Sequence, residues 1–169
     1  MKENLLIRKA TLNDIENLLS LHQENFLQKF DSPWNRKQFC DFFQQDWGKM
    51  FLASFYEKNN FFAKFHEKIV GMVAIMETPE SIEILTIAVA SNFKRQGIAT
   101  QMFEYLFQKY IKKNFFLEVV ESNFSAINLY KKLGFIEINK RKKYYFSQDK
   151  KESANALVMR FNLFQQTGQ

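Results

Sequence analysis

Residues 84–106 read ILTIAVASNFKRQGIATQMFEYL, and this stretch decides the fold. Ile84–Ala90 is an apolar run with a β-branched majority, the composition of a buried strand. Ile98, Met102 and Leu106 recur on one helical row, with Phe103 and Phe107 beside them. Between the two lies Lys94-Arg95-Gln96-Gly97-Ile98-Ala99. A strand that turns through a glycine into a helix leaves the helix's first N–H groups without intrahelical partners. With the helix dipole and the two cations, they make a seat for a phosphate or pyrophosphate. The same residues also suit a plain basic loop with a glycine turn, and the loop alone does not choose between the two.

Two downstream pieces do. Phe116-Leu117-Glu118-Val119-Val120-Glu121-Ser122-Asn123 reads as the next strand and its exit, and Ala126-Ile127-Asn128-Leu129-Tyr130-Lys131-Lys132-Leu133-Gly134-Phe135 follows it. This order resembles the Gcn5-related N-acetyltransferase (GNAT) superfamily, in which a strand, a Gln/Arg-x-x-Gly-x-Gly/Ala loop and a helix bind acetyl-coenzyme A. Within it, LTIAV, the glycine loop, LEV-x-x-SN and LYKKLGF are most similar to the RimI-type alanine N-acetyltransferases of ribosomal proteins. The similarity is strong from Glu83 to Tyr145 and weaker at both ends. It implies a mixed α+β fold, a mostly antiparallel sheet of about 6–7 strands flanked by helices. It also implies acetyl-CoA as acetyl donor. Lys94 departs from the usual Gln or Arg, keeping the charge without the guanidinium fork. Ala99 takes the place of the second glycine, which the motif permits.

Composition sets outer bounds. A chain of 169 residues fits a single domain, here 1–169, with a sizeable core. A hydrophobic content of 46% excludes a disordered protein, and the 20 phenylalanines, spread along the chain, are read as packing material. No apolar run approaches the roughly 20 residues of a membrane span, and the first ten residues lack a signal peptide's apolar segment. The single cysteine, Cys40, cannot form an internal disulfide, so a reducing, cytoplasmic setting is expected. Two histidines and one cysteine, far apart, make a poor metal-ligand set, and no metal is expected. The net charge of +6 is compatible with an anionic cofactor or a partner rich in nucleic acid, and decides little alone.

Along the chain, Leu5–Ile7 reads as a first strand, and Thr11 with Asp14 as a helix start ahead of Ile15, Leu18, Leu19 and His22. His22 is expected to be a partly exposed helix residue. Ser32-Pro33 suggests a second helix start, with Trp34, Phe39, Phe42 and Phe43 on its apolar face. Trp34 either staples that helix to the core or shapes the acceptor side of the cleft. Asp46–Lys58 has no obvious counterpart in the RimI pattern; it could extend the helix or form a strand at Met50–Tyr56, near the expected acceptor site. Phe61–Phe65 and Ile69–Met76 read as a hairpin turning at His66-Glu67-Lys68. After a break at Thr78–Ser81 come the strand, a helix from Gly97 to about Lys112, and a strand at Phe115–Val120. A short helix at Ala126–Leu133 is stopped by Gly134, and a strand at Phe135–Ile138 resumes through Tyr144-Tyr145-Phe146. Ala156–Phe164 closes the chain as a strand, ahead of a frayed tail at Gln165–Gln169.

Acetyl transfer to an amine needs a neutral amine, a polarised thioester carbonyl, a partner for the departing thiolate and a held cofactor. An N-terminal amine has a pKa of about 7.7–8.0, so a modest base suffices. Glu118, on the face opposite Leu117 and Val119, is a carboxylate in an otherwise apolar strand and the candidate base; an edge glutamate facing solvent is the bland alternative. The resemblance matches Glu118 to the family's general base and Tyr130, seven residues after Asn123, to its general acid. It matches Asn123 to a cofactor contact and Ile87-Ala88-Val89 to the strand along the pantetheine arm. A splay or bulge there would, as in the family, free a backbone N–H, that of Val89, to polarise the carbonyl. Arg95, Gln96, Gly97, Ile98, Ala99 and Thr100 would cradle the pyrophosphate through main-chain amides. Lys140-Arg141-Lys142-Lys143-Tyr144-Tyr145 resembles the Arg-Arg-x-Tyr-Tyr segment beside the acceptor channel, or is a solvated turn. Asn155 stands where those enzymes usually carry Asp.

The leading expectation is acetyl transfer to a protein N-terminal amine, the alanine of a ribosomal protein, without a covalent enzyme intermediate. The alternatives are a lysine side chain, a polyamine or an aminoglycoside as acceptor, or a non-catalytic acetyl-CoA-binding module. Direct nucleic-acid readout and membrane contact are not expected, and the chain is taken as a monomer or weak dimer.

Overall fold

The computed structural model describes residues 5–26, 30, 33–58, 65–147, 149 and 151–162. Seven strands form one sheet: β1 Leu6–Lys9, β2 Gly48–Lys58, β3 Phe65–Glu77, β4 Ser81–Val89, β5 Asn114–Val120, β6 Ile136–Phe146 and β7 Ser153–Phe161. Their spatial order is β1-β2-β3-β4-β5-β7-β6. Every neighbouring pair is antiparallel except β4 and β5. Four helices accompany them: α1 Ile15–Asn25, α2 Arg36–Phe43, α3 Ile98–Lys109 and α4 Phe124–Lys132. The mixed α+β fold expected from the sequence is the one observed.

Strand alternation divides the interior into two cores. Along β2, Met50 and Leu52 pack with Leu18, Phe39 and Phe42 of α1 and α2. Phe51 and Ala53, one step out of phase, join the opposite core with Ile98, Met102 and Phe103 of α3. Several phenylalanines concentrate there: the rings of Phe107 and Phe161 stack at 4.2 Å, and Phe115 meets Phe107 edge-on at 4.9 Å. Phe124 and Phe146 lie outside it, 71% and 57% exposed, so phenylalanine is not packing material everywhere.

Local chemistry sets the helix starts. The Asp14 carboxylate accepts the N–H and the hydroxyl of Thr11 and closes a 3-10 turn that runs into α1, as the Thr11–Asp14 spacing implied. The second helix begins later than Ser32-Pro33. Asn35 caps it, its side chain accepting from Gln38 N–H while Gln38 returns a bond to the Asn35 N–H. Ser32 lies outside the described residues; Pro33 and Trp34 precede the helix. Trp34 still packs on Phe39 and Phe42, at 5.5 and 5.2 Å between ring centroids.

Of the two alternatives for Asp46–Lys58 the strand holds and the helix extension does not: most of the segment is β2, paired with β1 on one side and β3 on the other. Two other expectations change. His66-Glu67-Lys68 is no turn: it lies inside β3, paired with Glu57, Tyr56 and Phe55 of β2. Residues 61–64 of the expected first hairpin strand, and the tail from 163 onward, lie outside the described residues. Lys140–Lys143 is likewise no turn between separate strands but part of β6, which absorbs it through register shifts and a left-handed Lys143 at φ 52°.

The parallel pair opens the site. Its register runs from Ser81↔Asn114 to Ile84↔Leu117. Beyond Ile84, β4 follows β3 to Val89, and beyond Leu117, β5 follows β7 to Val120. The two strands therefore splay apart over their C-terminal halves.

Candidate active site

A cleft of about 370 Å³ fills the splay, lined by Ile84–Val89 of β4, Leu117–Val120 of β5 and side chains of α1 and α4. The bulge that directs it is at Leu85, where the register passes from Ile75↔Ile84 to Ala74↔Thr86. Of the expected splay or bulge along Ile87–Val89, the splay is present, while the extra residue of the bulge sits just before that stretch. The backbone of Val89 nonetheless faces the opening. Ala90 donates its N–H to Val70 O of β3 at 2.9 Å, and strand alternation turns the preceding N–H the other way.

At the mouth of the cleft the chain turns into α3. Arg95 at φ 64° and Gly97 at φ 81° place two left-handed residues in the Lys94–Gly97 turn, and Gly97 is the helix N-cap. Gln101 reaches back to Gly97 O at 3.0 Å, so the N–H groups of Ile98, Ala99 and Thr100 precede the first intrahelical bond. A Cβ built on Gly97 meets nothing within 4 Å, which leaves the space over the loop open. Lys94 and Ala99 line the cleft itself. The Ile98 side chain is buried in the core, so it can meet a ligand only through its main chain. Unpaired amides at the start of a 12-residue helix, two flanking cations and open space fit the pyrophosphate of acetyl-CoA.

Glu118 and Tyr130 both line the same cleft. Glu118 sits on the face of β5 opposite buried Leu117 and Val119, with its side chain 16% exposed. It does not face solvent: it pairs with Val158 of β7 just past the last β4 pair, and its side chain enters the opening. Its Oε1 lies 2.9 Å from Nη1 of Arg141 on β6. The Tyr144 hydroxyl faces the same carboxylate, which holds the phenol above its ordinary pKa. Tyr130 is buried among Phe103 and Phe135 at 5.9 Å each. Burial first, and Tyr145 second, hold its phenol above the usual value of 10, so it stays protonated through neutral pH. Asn123 lines the cleft and caps α4, accepting from Ala126 N–H at 3.1 Å.

Three residues of this region carried no clear signal in the sequence. His22, expected to be partly exposed, is 1% exposed and lines the cleft. Its Nδ1 accepts the Trp34 N–H at 3.3 Å, which leaves Nε2 to donate to Thr86 Oγ1 at 3.2 Å. Burial holds its pKa down at about 4, so the ring is neutral at physiological pH. Thr86 itself had no signal beyond a polar residue in an apolar strand. Glu83, two residues before the bulge, is a half-buried carboxylate whose pKa is raised by burial and then by Glu118. Asn155, in place of the usual Asp, holds β5 and β6 together: it accepts from Lys143 N–H at 3.0 Å and donates to Glu121 Oε1 at 2.7 Å.

A profile of the Acetyltransferase (GNAT) family matches residues 15–135. The ribosomal protein bS18-alanine N-acetyltransferase of Escherichia coli is 28% identical over 130 residues, covering 75% of this chain and 80% of that protein. The crystal structure of the ribosomal-protein-S18-alanine N-acetyltransferase from Escherichia coli superposes with a TM-score of 0.75 at 24% identity, covering 94% of this chain and 93% of that one. Arabidopsis thaliana NAA60 in complex with acetyl-CoA gives 0.75 at 15% identity, covering 94% and 98% of the respective chains.

Proposed function

The chain belongs to the acetyltransferase (GNAT) family and is an acetyl-CoA-dependent N-acetyltransferase, and we propose that its acceptor is a protein N-terminal amine, the alanine of a ribosomal protein. The observation that carries this reading is the single cleft that gathers a carboxylate (Glu118), a protonated phenol (Tyr130) and the Val89 backbone around the splay. The similarity to the bS18-alanine enzyme supports the acceptor class. One domain spanning 1–169, acting in the cytoplasm, completes the proposal. Among the described residues no helix is long and apolar enough to cross a membrane.

Acetyl-CoA supplies a thioester carbonyl activated toward amines. In the proposed mechanism Glu118 takes a proton from the acceptor ammonium, exposing the lone pair. With a pKa of about 7.7–8.0 the ammonium needs only a modest base near neutral pH. The Val89 N–H donates to the carbonyl oxygen, where negative charge develops as the C–N bond forms. Tyr130 donates its proton as the C–S bond breaks, so the thiol leaves neutral; the second proton of the attacking nitrogen restores the Tyr130 phenol, and Glu118 returns its proton to solvent. Ile87, Ala88 and Asn123 hold the pantetheine arm. Arg95, Gln96, Gly97, Ile98, Ala99 and Thr100 hold the pyrophosphate through main-chain amides, with Lys94 as a point charge.

The test is transfer from acetyl-CoA to a peptide with a free N-terminal alanine. The comparisons are the same peptide blocked at its amine, internal-lysine peptides and spermidine. Turnover confined to the free alanine terminus is the expected result. Turnover only on a lysine side chain or a polyamine would discard the acceptor while keeping the enzyme class.

A further inference from the structure

Arg141 is bonded to one carboxylate and within electrostatic reach of a second. It pairs with Glu118 at 2.9 Å, its guanidinium sits 5.1 Å from the centre of the Tyr144 ring, and its charge also acts on Glu83. Glu83 and Glu118 share one face of adjacent strands: Glu83 is opposite Phe116 in the parallel register, and Glu118 is two residues further along β5. Glu83 makes no ion pair or hydrogen bond among the described residues, so an acidic partner stands open next to the bonded one. Arg141 also sits where β6 is irregular. The register breaks between Arg141 and Tyr145, and Lys143 between them is left-handed. Asn155 and the Lys140–Glu121 ion pair at 2.5 Å pin the flanks of that bulge, which leaves the long Arg141 side chain, half exposed, as the movable part.

We propose that Arg141 is a positioning residue that holds the Glu118 carboxylate in the acceptor-free enzyme and passes to Glu83 when the acceptor ammonium arrives. The inference rests on Glu118 being the base. An ammonium approaching Glu118 competes with the guanidinium for one carboxylate, and the repulsion between two cations drives Arg141 toward the open acid. Once the acceptor is bound the site holds one cation for each carboxylate, so the arriving ammonium pairs with Glu118 while Arg141 takes the acid that stood open before. Besides Arg141, the groups facing Glu118 are Glu83 from β4 and Tyr144 from β6. His22, Lys94, Tyr130 and Tyr145 line the rest of the same cleft.

The experiment follows the guanidinium Nε–H signal of Arg141 by NMR in the full chain, with and without acceptor peptide, alongside kcat/KM for the acceptor. The signal should shift on adding the acceptor in the native chain and stay in place in E83Q. E83Q should also raise the acceptor KM several-fold without changing acetyl-CoA affinity. R141Q should lower kcat/KM for the acceptor several-fold at unchanged acetyl-CoA affinity, with R141K restoring part of the loss. A signal indifferent to acceptor, or an E83Q chain with native KM, overturns the handover. A native kcat/KM for the acceptor in a folded R141Q overturns the hold on Glu118. If the native chain uses another amine instead of an N-terminal alanine, that amine serves as the probe, so failure of the acceptor reading and failure of this one are told apart.

Discussion

His22 Nε2 and Thr86 Oγ1 stand 3.2 Å apart at the floor of the cleft, joining α1 to β4 through a neutral imidazole. Burial holds the ring's pKa at about 4 against an ordinary 6.5. The unfolded chain therefore takes up a proton between those values that the folded chain does not. Stability should be level above pH 6.5 and fall by about 3 kcal/mol as the pH drops from there to about 4. Asp14, held at about 2 chiefly by Arg8, contributes stability that is lost in a lower window, between 3.8 and about 2. His22→Phe should flatten the upper window. At neutral pH it should cost about 2 kcal/mol, because Thr86 Oγ1 and the Trp34 N–H lose their partner. Thermal melting of both chains as a function of pH reads both effects.

The two proposed catalytic side chains differ in what surrounds them. Glu118→Gln keeps the shape, so acetyl-CoA affinity should hold while turnover falls by about 100-fold or more. Tyr130→Phe removes only a hydroxyl from a ring packed on Phe103 and Phe135, so the melting temperature should hold while the transfer step slows. Single-turnover kinetics with calorimetric acetyl-CoA binding separates chemistry from affinity. Native rates in either variant would return that residue to packing or charge balance.

Gly97 occupies the left-handed region at the start of α3, with open space beyond it. A Gly97→Val chain should lose about 1–2 kcal/mol of stability from the backbone alone. Its acetyl-CoA affinity should fall about tenfold or more, since the new side chain enters the space over the unpaired amides. A chain that is destabilised yet binds acetyl-CoA normally would remove the loop from the cofactor site.

Gly71 answers a different need. A Cβ there would come within 3.0 Å of Met102 Sδ and 3.2 Å of Ile98 Cγ2, so α3 rests directly on the β3 backbone. Gly71→Ala should cost about 1–3 kcal/mol by overpacking. Because Ile98 opens the helix, the substitution should also weaken acetyl-CoA binding. Denaturant titration and calorimetry check the two effects together.

Some of this was legible in the sequence because the information is local. The apolar run before Gly97, the helical row after it, the Asn123 cap and the alternation that isolates Glu118 from Leu117 and Val119 all lie within a few residues of each other. Backbone periodicity and capping chemistry decide them without reference to the rest of the chain. The expected hairpin at His66–Lys68 was wrong for a related reason. Three polar residues in a row look like a turn, but in β3 they are held in a long strand by pairing with β2. The second helix starts at Asn35 and not at Ser32-Pro33, its capping box with Gln38 closing the first turn ahead of buried Phe39 and Phe42.

By itself the sequence determined the strand–glycine–helix unit, and the family resemblance singled out Glu118 and Tyr130 as the carboxylate and phenol to look for. The tertiary structure alone decided how β4 and β5 part after Ile84, that the bulge falls at Leu85, that His22 is buried against Thr86, and that Arg141 of β6 pairs with Glu118 of β5. Those relationships join residues tens of positions apart, on strands brought together by non-local pairing. Register and burial are properties of the assembled sheet, and short-range periodicity contains no record of them.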